Sequence, residues 1–308
     1  MIQQFKTIFD LQKAFPTEQD CLNHLESIVW VNGVVSPFDA ASKVYKCAGG
    51  KYKCKNTGKY FNVKVGSIFE DTKIPMIKWF MALFIFSSHK KGISSHQLAR
   101  DLGVSQKSAW FMLHRLRYAF DHPAFKEIMG LNPVEIDETY VGGKEKNKHF
   151  HKRNKQTGMN DKAPVLAILE RESHVVTVTL PIGKSNKKTI RPIIEEVVNE
   201  NSTIVTDGFG AYTTLKNDFA AHYVVDHEKN QYTIGDMHTN TVEGFFSHLK
   251  RGIYGIYHHV SDQHLQKYAN EFALRYNTRK QSTNDRFNLI LNNITTRVRY
   301  QDLINHGK

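Results

Sequence analysis

Cysteine is scarce in this chain: its 308 residues include three, Cys21, Cys47 and Cys54, and no two of them form a C-x-x-C pair. That excludes a disulfide framework and an intact four-ligand thiolate zinc site, and fits a reducing compartment. Long hydrophobic runs are lacking too. The most apolar stretch, Met76 to Phe86, contains Lys78 and falls well short of the roughly 18 residues that a membrane span needs. No membrane partner is expected. The amino terminus, Met-Ile-Gln-Gln-Phe-Lys, lacks the basic-then-apolar pattern of a secretory signal, so a cytoplasmic protein is expected. Prolines number eight, and neither low-complexity tracts nor useful internal repeats occur, which excludes linker-like and disordered compositions. Acids are also in deficit, with 30 Asp plus Glu against 42 Lys plus Arg, a net charge of +12. A polyanionic partner is favoured over an acidic or neutral one.

What is present divides into blocks. Residues 1–70 combine a helical pattern over Cys21 to Val29 with strand patterns over Lys43 to Cys47 and over Tyr52 to Cys54, continuing through Tyr60 to Val65, and Gly49-Gly50 suits the turn between them. From Ile74 to Arg117 the apolar spacing is helical, with Pro75 where a first turn tolerates it. From Pro133 onward come strand patterns at Val134 to Val141, Val165 to Leu169 and Val175 to Ile182, a helix over Lys188 to Asn199, and an extended run Thr203 to Thr206. Three strands, a helix and a further strand predict an α/β domain. The polar, basic segment from Lys144 to Lys162 predicts an exposed loop.

Two helices with a bend are written into residues 92–117. Ser94 or Ser95 caps the first and Ser105 the second, with Gly103 at the bend. Leu98, Ala99 and Leu102 form one apolar stripe, and Val104, Ala109, Met112, Leu113 and Leu116 form the other. Gln106, Lys107 and Ser108 are left at the start of the second helix, from which a recognition helix reaches base edges, and Arg115 and Arg117 are expected to meet phosphates. The competing expectation is a helical hairpin packed on its neighbours.

Three acids stand where rigid backbone would present them. Asp137 lies in the strand pattern Pro133-Val-Glu-Ile-Asp-Glu-Thr-Tyr-Val-Gly-Gly143, where Glu135, Asp137 and Thr139 share one face and Val134, Ile136 and Glu138 the other. Asp207 ends the apolar run Thr203-Ile-Val-Thr-Asp-Gly208. Glu243 lies in the helical pattern His238 to Arg251, where Asn240, Glu243, Ser247 and Lys250 share a polar face. Between Asp207 and Glu243 lie 35 residues. Carboxylates are the hard oxygen ligands that hold two divalent ions for phosphodiester chemistry. Glu135, Glu138, Asp226 and Asp236 are acids without an assigned role; the first two flank Asp137 and are placed to tune it.

These segments together, with Thr206-Asp-Gly-Phe-Gly-Ala-Tyr212 and Lys91-Gly-Ile-Ser-Ser-His-Gln-Leu-Ala-Arg100, resemble insertion-sequence transposases of the ISXO-like group, over about Cys21 to Arg279. The resemblance implies an RNase H-like catalytic domain, a mixed sheet with flanking helices, at 130–280, after a degenerate ribbon at 1–70 and a helix-turn-helix domain at 71–125; a helical tail at 281–308 would follow. It implies that Asp137 and Asp207 are the first two catalytic acids and metal ligands and that Glu243 is the third, with Asn240 the alternative and Lys250 beside it. Two Mg²⁺ or Mn²⁺ ions, double-stranded DNA of terminal inverted repeats and target, and a homodimer or larger assembly on DNA follow from it. So does association with a prokaryotic nucleoid. Lys152, Arg153, Lys250 and Arg251 would grip DNA. A transposase-derived regulator with relic carboxylates and an RNase H-type nuclease are the alternatives. Members of the group open with a zinc ribbon of two C-x-x-C knuckles. Here those segments read Ser36-Pro-Phe-Asp39 and Cys54-Lys-Asn-Thr57, so three of four ligands are gone, and a ribbon without structural Zn²⁺ is expected. Its lysines, Lys43, Lys46, Lys51, Lys53, Lys55 and Lys59, would lie along DNA backbone.

Overall fold

Threonine followed three residues later by aspartate opens the first two helices. In the computed structural model, which describes residues 4–120, 130–143, 149, 162–226, 229, 231–295 and 297–304, Thr7 with Asp10 and Thr17 with Asp20 form reciprocal capping boxes. They start α1 (Ile8–Ala14) and α2 (Glu18–Val29). A three-stranded antiparallel ribbon follows, β1 (Val44–Cys47), β2 (Lys51–Cys54) and β3 (Tyr60–Phe61). Tyr52, Cys54 and Phe61 are its buried side, packed with Trp30, Val34, Val44 and Val65.

The places of the two knuckles do converge, but on hydroxyl groups. Burial raises the Cys54 thiol, while hydrogen bonds from the Ser36, Ser42 and Thr57 hydroxyls and from the Thr57 backbone outweigh it and bring the thiol down to about 6. The Asp39 carboxylate accepts from the Asn56 side chain at 2.7 Å and from the Ala41 N–H at 3.1 Å. One thiol, hydroxyls and an engaged carboxylate do not fit zinc, which takes four thiolate, imidazole or carboxylate donors.

The apolar run from Met76 becomes α3 (Met76–Ser88), buried along nearly its whole circumference. Its neighbours explain why so apolar a segment stays in a folded unit: Phe80 packs on Phe15, and Phe84 on Phe5. Among the described residues no helix is long and apolar enough to cross a membrane. Next come α4 (Ser95–Leu102) and α5 (Gln106–Ala119). Ser94 caps the first, accepting from Gln97 N–H, and Ser105 caps the second, accepting from Ser108 N–H. Gly103 between them has φ 58° and ψ 48°, the left-handed conformation that glycine adopts without a Cβ penalty. Lys78 on α3 donates to the Gly103 carbonyl at 3.1 Å, which ties the bend to the central helix.

The second unit is built on a five-stranded mixed sheet. Its strands are β4 (Val134–Val141), β5 (Ala163–Glu170), β6 (Val175–Thr179), β7 (Thr203–Asp207) and β8 (Ala221–Val225), in the spatial order β6-β5-β4-β7-β8. The pairs β6/β5 and β5/β4 are antiparallel, whereas β4/β7 and β7/β8 are parallel. This order is compatible with the RNase H-like expectation. Between β6 and β7 runs α6 (Lys187–Val197), whose Ile190 and Ile194 share a core with Val134, Ile136, Leu166, Ile168 and Ile204. The opposite face of the sheet packs against α7 (Asn240–Gly252) and α8 (Asp262–Asn277), through Val242, Phe245, Phe246, Leu249, Leu265 and Phe272. Two details differ from the sequence reading. Strand β6 ends at Thr179, two residues before Pro181, which cannot donate to a ladder. Strand β8 is additional: its Tyr223 and Val224 are partly exposed, so no clean alternation marks it.

The last helices, α9 (Thr283–Leu291) and α10 (Tyr300–Ile304), do not form a separate tail. The chain divides into two compact units, residues 1–120 with 281–308 and residues 121–280. Phe287 of α9 packs on Phe5 and Phe80, Arg286 donates to the Ser87 carbonyl, and the Ile68 N–H donates to Ile294. Ribbon, helical block and tail are therefore one unit.

Two measurements follow. Helices α7 and α8 meet so closely at Gly252 that a Cβ there would overlap the buried Phe272 ring. Gly252→Ala should lose about 1–3 kcal/mol through overpacking, a Tm fall of roughly 2–4 °C for each kcal/mol; an unchanged melting curve would contradict that packing. Metal analysis of the purified protein should find far less than one zinc per chain, and stoichiometric zinc that survives dialysis would overturn the metal-free ribbon.

Candidate active site

Parallel pairing of β4 with β7 sets the site. The register aligns Ile136 with Thr206, so the next residues, Asp137 and Asp207, flank each other on strands about 4.8 Å apart. Ile136 and Ile204 point into the core beneath α6, and by strand alternation both aspartates point to the opposite face, where α7 packs. Each carboxylate is steadied by local backbone: Asp137 Oδ1 accepts from Glu138 N–H at 2.7 Å, and Asp207 Oδ1 from Phe209 N–H at 3.0 Å.

Crowded acids dominate the electrostatics. Asp137 is pushed up to about 8, first by burial and then by the charges of Asp207 and Glu138; the Glu138 backbone bond opposes this and Glu243 adds to it. The third acid is therefore close enough for Asp137 to feel. It is not closer than that: among the described residues no three His, Cys, Asp or Glu side chains are grouped to hold one metal ion. The donor chemistry of Asp137 and Asp207 fits a hard divalent cation, since paired carboxylates that repel one another would both be favoured by it. Glu243 lies in the first turn of α7, exposed, with its Oε1 accepting from Thr239 Oγ1 at 3.2 Å. Asn240, at the start of the helix, is exposed as well.

Glu138 points the other way and meets a different environment. The Tyr212 hydroxyl, carried by the 3₁₀ turn Gly210–Tyr212, donates to its Oε2. Burial raises Glu138, the Tyr212 bond lowers it, Asp207 raises it and a Ser185 bond lowers it; the net shift is upward. Tyr212 itself is raised well above its ordinary value, by burial first and by Glu138 next, so it stays a donor at neutral pH.

Glu135 is the residue whose part the sequence did not reveal. It is fully buried and accepts from Arg171 Nε at 2.6 Å, from Thr241 N–H at 2.9 Å, from Thr241 Oγ1 at 2.8 Å and from Val242 N–H at 2.9 Å. A buried glutamate two residues from Asp137 was visible as a flanking acid, but its partners lie 36 and 106 or more positions away and leave no local signature.

The expected nucleic-acid contacts separate into two groups. Gln106 and Lys107 are exposed at the first turn of α5, with Gln106 Nε2 donating to Ser95 at 2.8 Å, and Ser108 is half-buried. Lys250 is half-buried on the polar side of α7, and Arg251 is exposed with its Nε on the Ser247 carbonyl at 3.0 Å. Arg115 and Arg117 need correction. They are 4% and 1% exposed, and Arg115 donates to the Ile68 and Glu70 carbonyls at 2.7 and 2.8 Å. Residues 112 to 117 of α5 are all buried, so the helix is enclosed beyond a single apolar stripe and these guanidiniums serve the fold rather than a phosphate. Lys152 and Arg153 lie outside the described residues.

Comparison with known proteins adds context. A model of the ISXO2-like transposase domain matches residues 129–277. An uncharacterized protein in transposable element ISH50 of Halobacterium salinarum is 32% identical over 281 residues, covering 85% of this chain and 92% of that protein. An uncharacterized transposase-like protein of Haemophilus influenzae is 28% identical over 103 residues, covering 33% of this chain and 80% of its own length.

One consequence of the geometry is measurable without substrate. Tyr212→Phe takes a donor from the buried Glu138 carboxyl and should lower stability by roughly 1–3 kcal/mol. A denaturant midpoint equal to wild type would show that the phenol does not support Glu138.

Proposed function

This chain belongs to the ISXO2-like insertion-sequence transposases, and on that premise we propose that it cuts and joins DNA with a divalent-metal site on Asp137, Asp207 and Glu243. The observation that carries the reading is the placing of Asp137 beside Asp207 on adjacent parallel strands, where Asp137 is raised to about 8 by burial and by neighbouring acids. A magnesium or manganese pair bound there would supply activation of the attacking oxygen and stabilisation of the leaving one. The chain's own residues do the placing. Asp137 and Asp207 offer hard oxygen donors fixed by the sheet, and α7 brings Glu243, or Asn240 in its stead, as the third ligand.

Lys250, seven residues beyond Glu243 on the same polar face, and Arg251 are suited to scissile-strand phosphates. On the first unit, α4 and α5 with the bend at Gly103 have helix-turn-helix form. Gln106, Lys107 and Ser108 at the start of α5 would read the terminal inverted repeats in the major groove, with the ribbon lysines on the backbone. Water first attacks at the transposon end, and the freed 3′ hydroxyl then attacks target DNA in a second in-line displacement. Each displacement breaks one P–O bond and forms one, so the same carboxylates serve both and no covalent protein intermediate is needed. Two transposon ends handled together call for at least a dimer on DNA.

Purified protein should nick duplexes carrying the element's inverted repeats when Mg²⁺ or Mn²⁺ is added, and should leave RNA–DNA hybrids intact. Asp137→Ala and Asp207→Ala should each lower the rate by more than about 100-fold, beyond the 10- to 100-fold typical of residues one step outside a metal's ligands. Unaltered nicking in either variant would remove that residue from the site, and cleavage of hybrids in preference to the repeats would replace the transposase chemistry with that of a ribonuclease.

A further inference from the structure

Helix α7 has to be placed on the sheet before any side chain on it can reach the two aspartates, and its own cap does not place it. Thr239, at the N-cap, makes no side-chain bond to the helix backbone; its hydroxyl donates to Glu243 instead. The amides of the first turn are taken up by a residue of β4. Glu135 Oε2 accepts from Thr241 N–H and Val242 N–H, both at 2.9 Å, and its Oε1 from the Thr241 hydroxyl at 2.8 Å. An ordinary N-cap would stop the helix from fraying, whereas a cap supplied by the sheet also fixes where the helix begins.

Arg171 completes the arrangement from just beyond β5. Its Nε is 2.6 Å from Glu135 Oε1, and its two terminal nitrogens donate to the carbonyls of Asp236 at 2.7 Å and His238 at 3.0 Å. Its planar fork thus holds the chain entering α7 while balancing the charge of a fully buried carboxylate. His238 Nδ1 lies 3.4 Å from the same Oε1. Glu135 stands two residues before Asp137 on the same face of β4, and the amides it holds belong to the two residues before Glu243. One rigid strand therefore carries both the first aspartate and the anchor of the helix that bears the third ligand.

We infer that Glu135, braced by Arg171, is a positioning residue that sets the third ligand, Glu243 or Asn240, against the Asp137–Asp207 pair by docking the first turn of α7 on β4. It contacts neither ion nor DNA. This inference rests on the assignment of Asp137, Asp207 and the third ligand made above.

The test is a double-variant cycle on the full chain, read by Mn²⁺ affinity without DNA, with free Mn²⁺ followed by electron paramagnetic resonance. Glu135→Gln should weaken Mn²⁺ binding several-fold, and should add less than about twofold when combined with whichever of Glu243→Gln or Asn240→Ala weakens binding by itself. Amide exchange at Thr241 and Val242 should speed up in Glu135→Gln, while β4 and β7 keep their protection. Should Glu135→Gln fail to fold, Arg171→Lys, which keeps the charge and loses the fork, should show the same coupling. Unchanged Mn²⁺ affinity, or losses that multiply in the double variant, would overturn the inference, since a merely structural role would not depend on the third ligand. Coupled losses in a protein that never nicks inverted repeats would keep the positioning role and end the strand-cleavage reading; multiplying losses in a protein that does nick would do the reverse.

Discussion

Two carboxylates side by side on adjacent parallel strands repel each other, and the rest of this unit is arranged so that they cannot move apart. Asp137 and Asp207 follow a fixed parallel register, and a nearby backbone amide, of Glu138 within β4 and of Phe209 beyond β7, donates to each carboxylate. Burial and the neighbouring charges make the cost visible as a carboxyl raised to about 8. A protein of this size retains a few kcal/mol of local strain only where surrounding structure overdetermines it. Here two cores, one on each face of the sheet, do so.

The sheet serves as the ruler for both faces. On its α6 side Ile190 and Ile194 pack against the β4, β5 and β7 aliphatics, and the Tyr212 hydroxyl donates to Glu138. Its α7 side mixes packing with polar contacts, because a helix held by Val242, Phe245, Phe246 and Leu249 alone could rotate or slide by small steps without losing much burial. Hydrogen bonds from named amides to one buried carboxylate remove that freedom, since an unsatisfied buried group is expensive. Hydrophobic contact thus gives α7 its adhesion, and Glu135 gives it a register.

Local patterns were legible in the sequence and long-range partners were not. Strand β4 reads from Val134 to Val141 in both because its alternation is strong and a turn signal bounds it. The serine caps and Gly103 likewise depend on neighbours within a few residues. The aspartates at 137 and 207 were visible as strand-borne acids. What stayed hidden depends on residues far off in the chain. Arg115 and Arg117 read as surface cations because composition cannot show that α5 is enclosed on several sides. The return of residues 281–308 to the first unit rests on Phe287, Arg286 and Ile294 meeting Phe5, Ser87 and Ile68, contacts that span most of the chain. Strand β8 is a short edge strand whose exposed Tyr223 and Val224 blur the period of two.

Residue type alone does not separate the acids of this site, but their surroundings do. Glu135, Asp137 and Glu138 lie within four positions of one strand, and each has a different fate. Glu135 is saturated by an arginine, a hydroxyl and two amides, which leaves its oxygens little capacity for an ion. Glu138 faces the α6 side and is engaged by the Tyr212 phenol. Asp137 faces the α7 side among Asp207 and Glu243, where burial and like charges outweigh the Glu138 backbone donor. A cation relieves the third environment and has nothing to offer the first. Among three acids on one strand, the one whose neighbours most disfavour its charge is therefore the one best suited to bind metal.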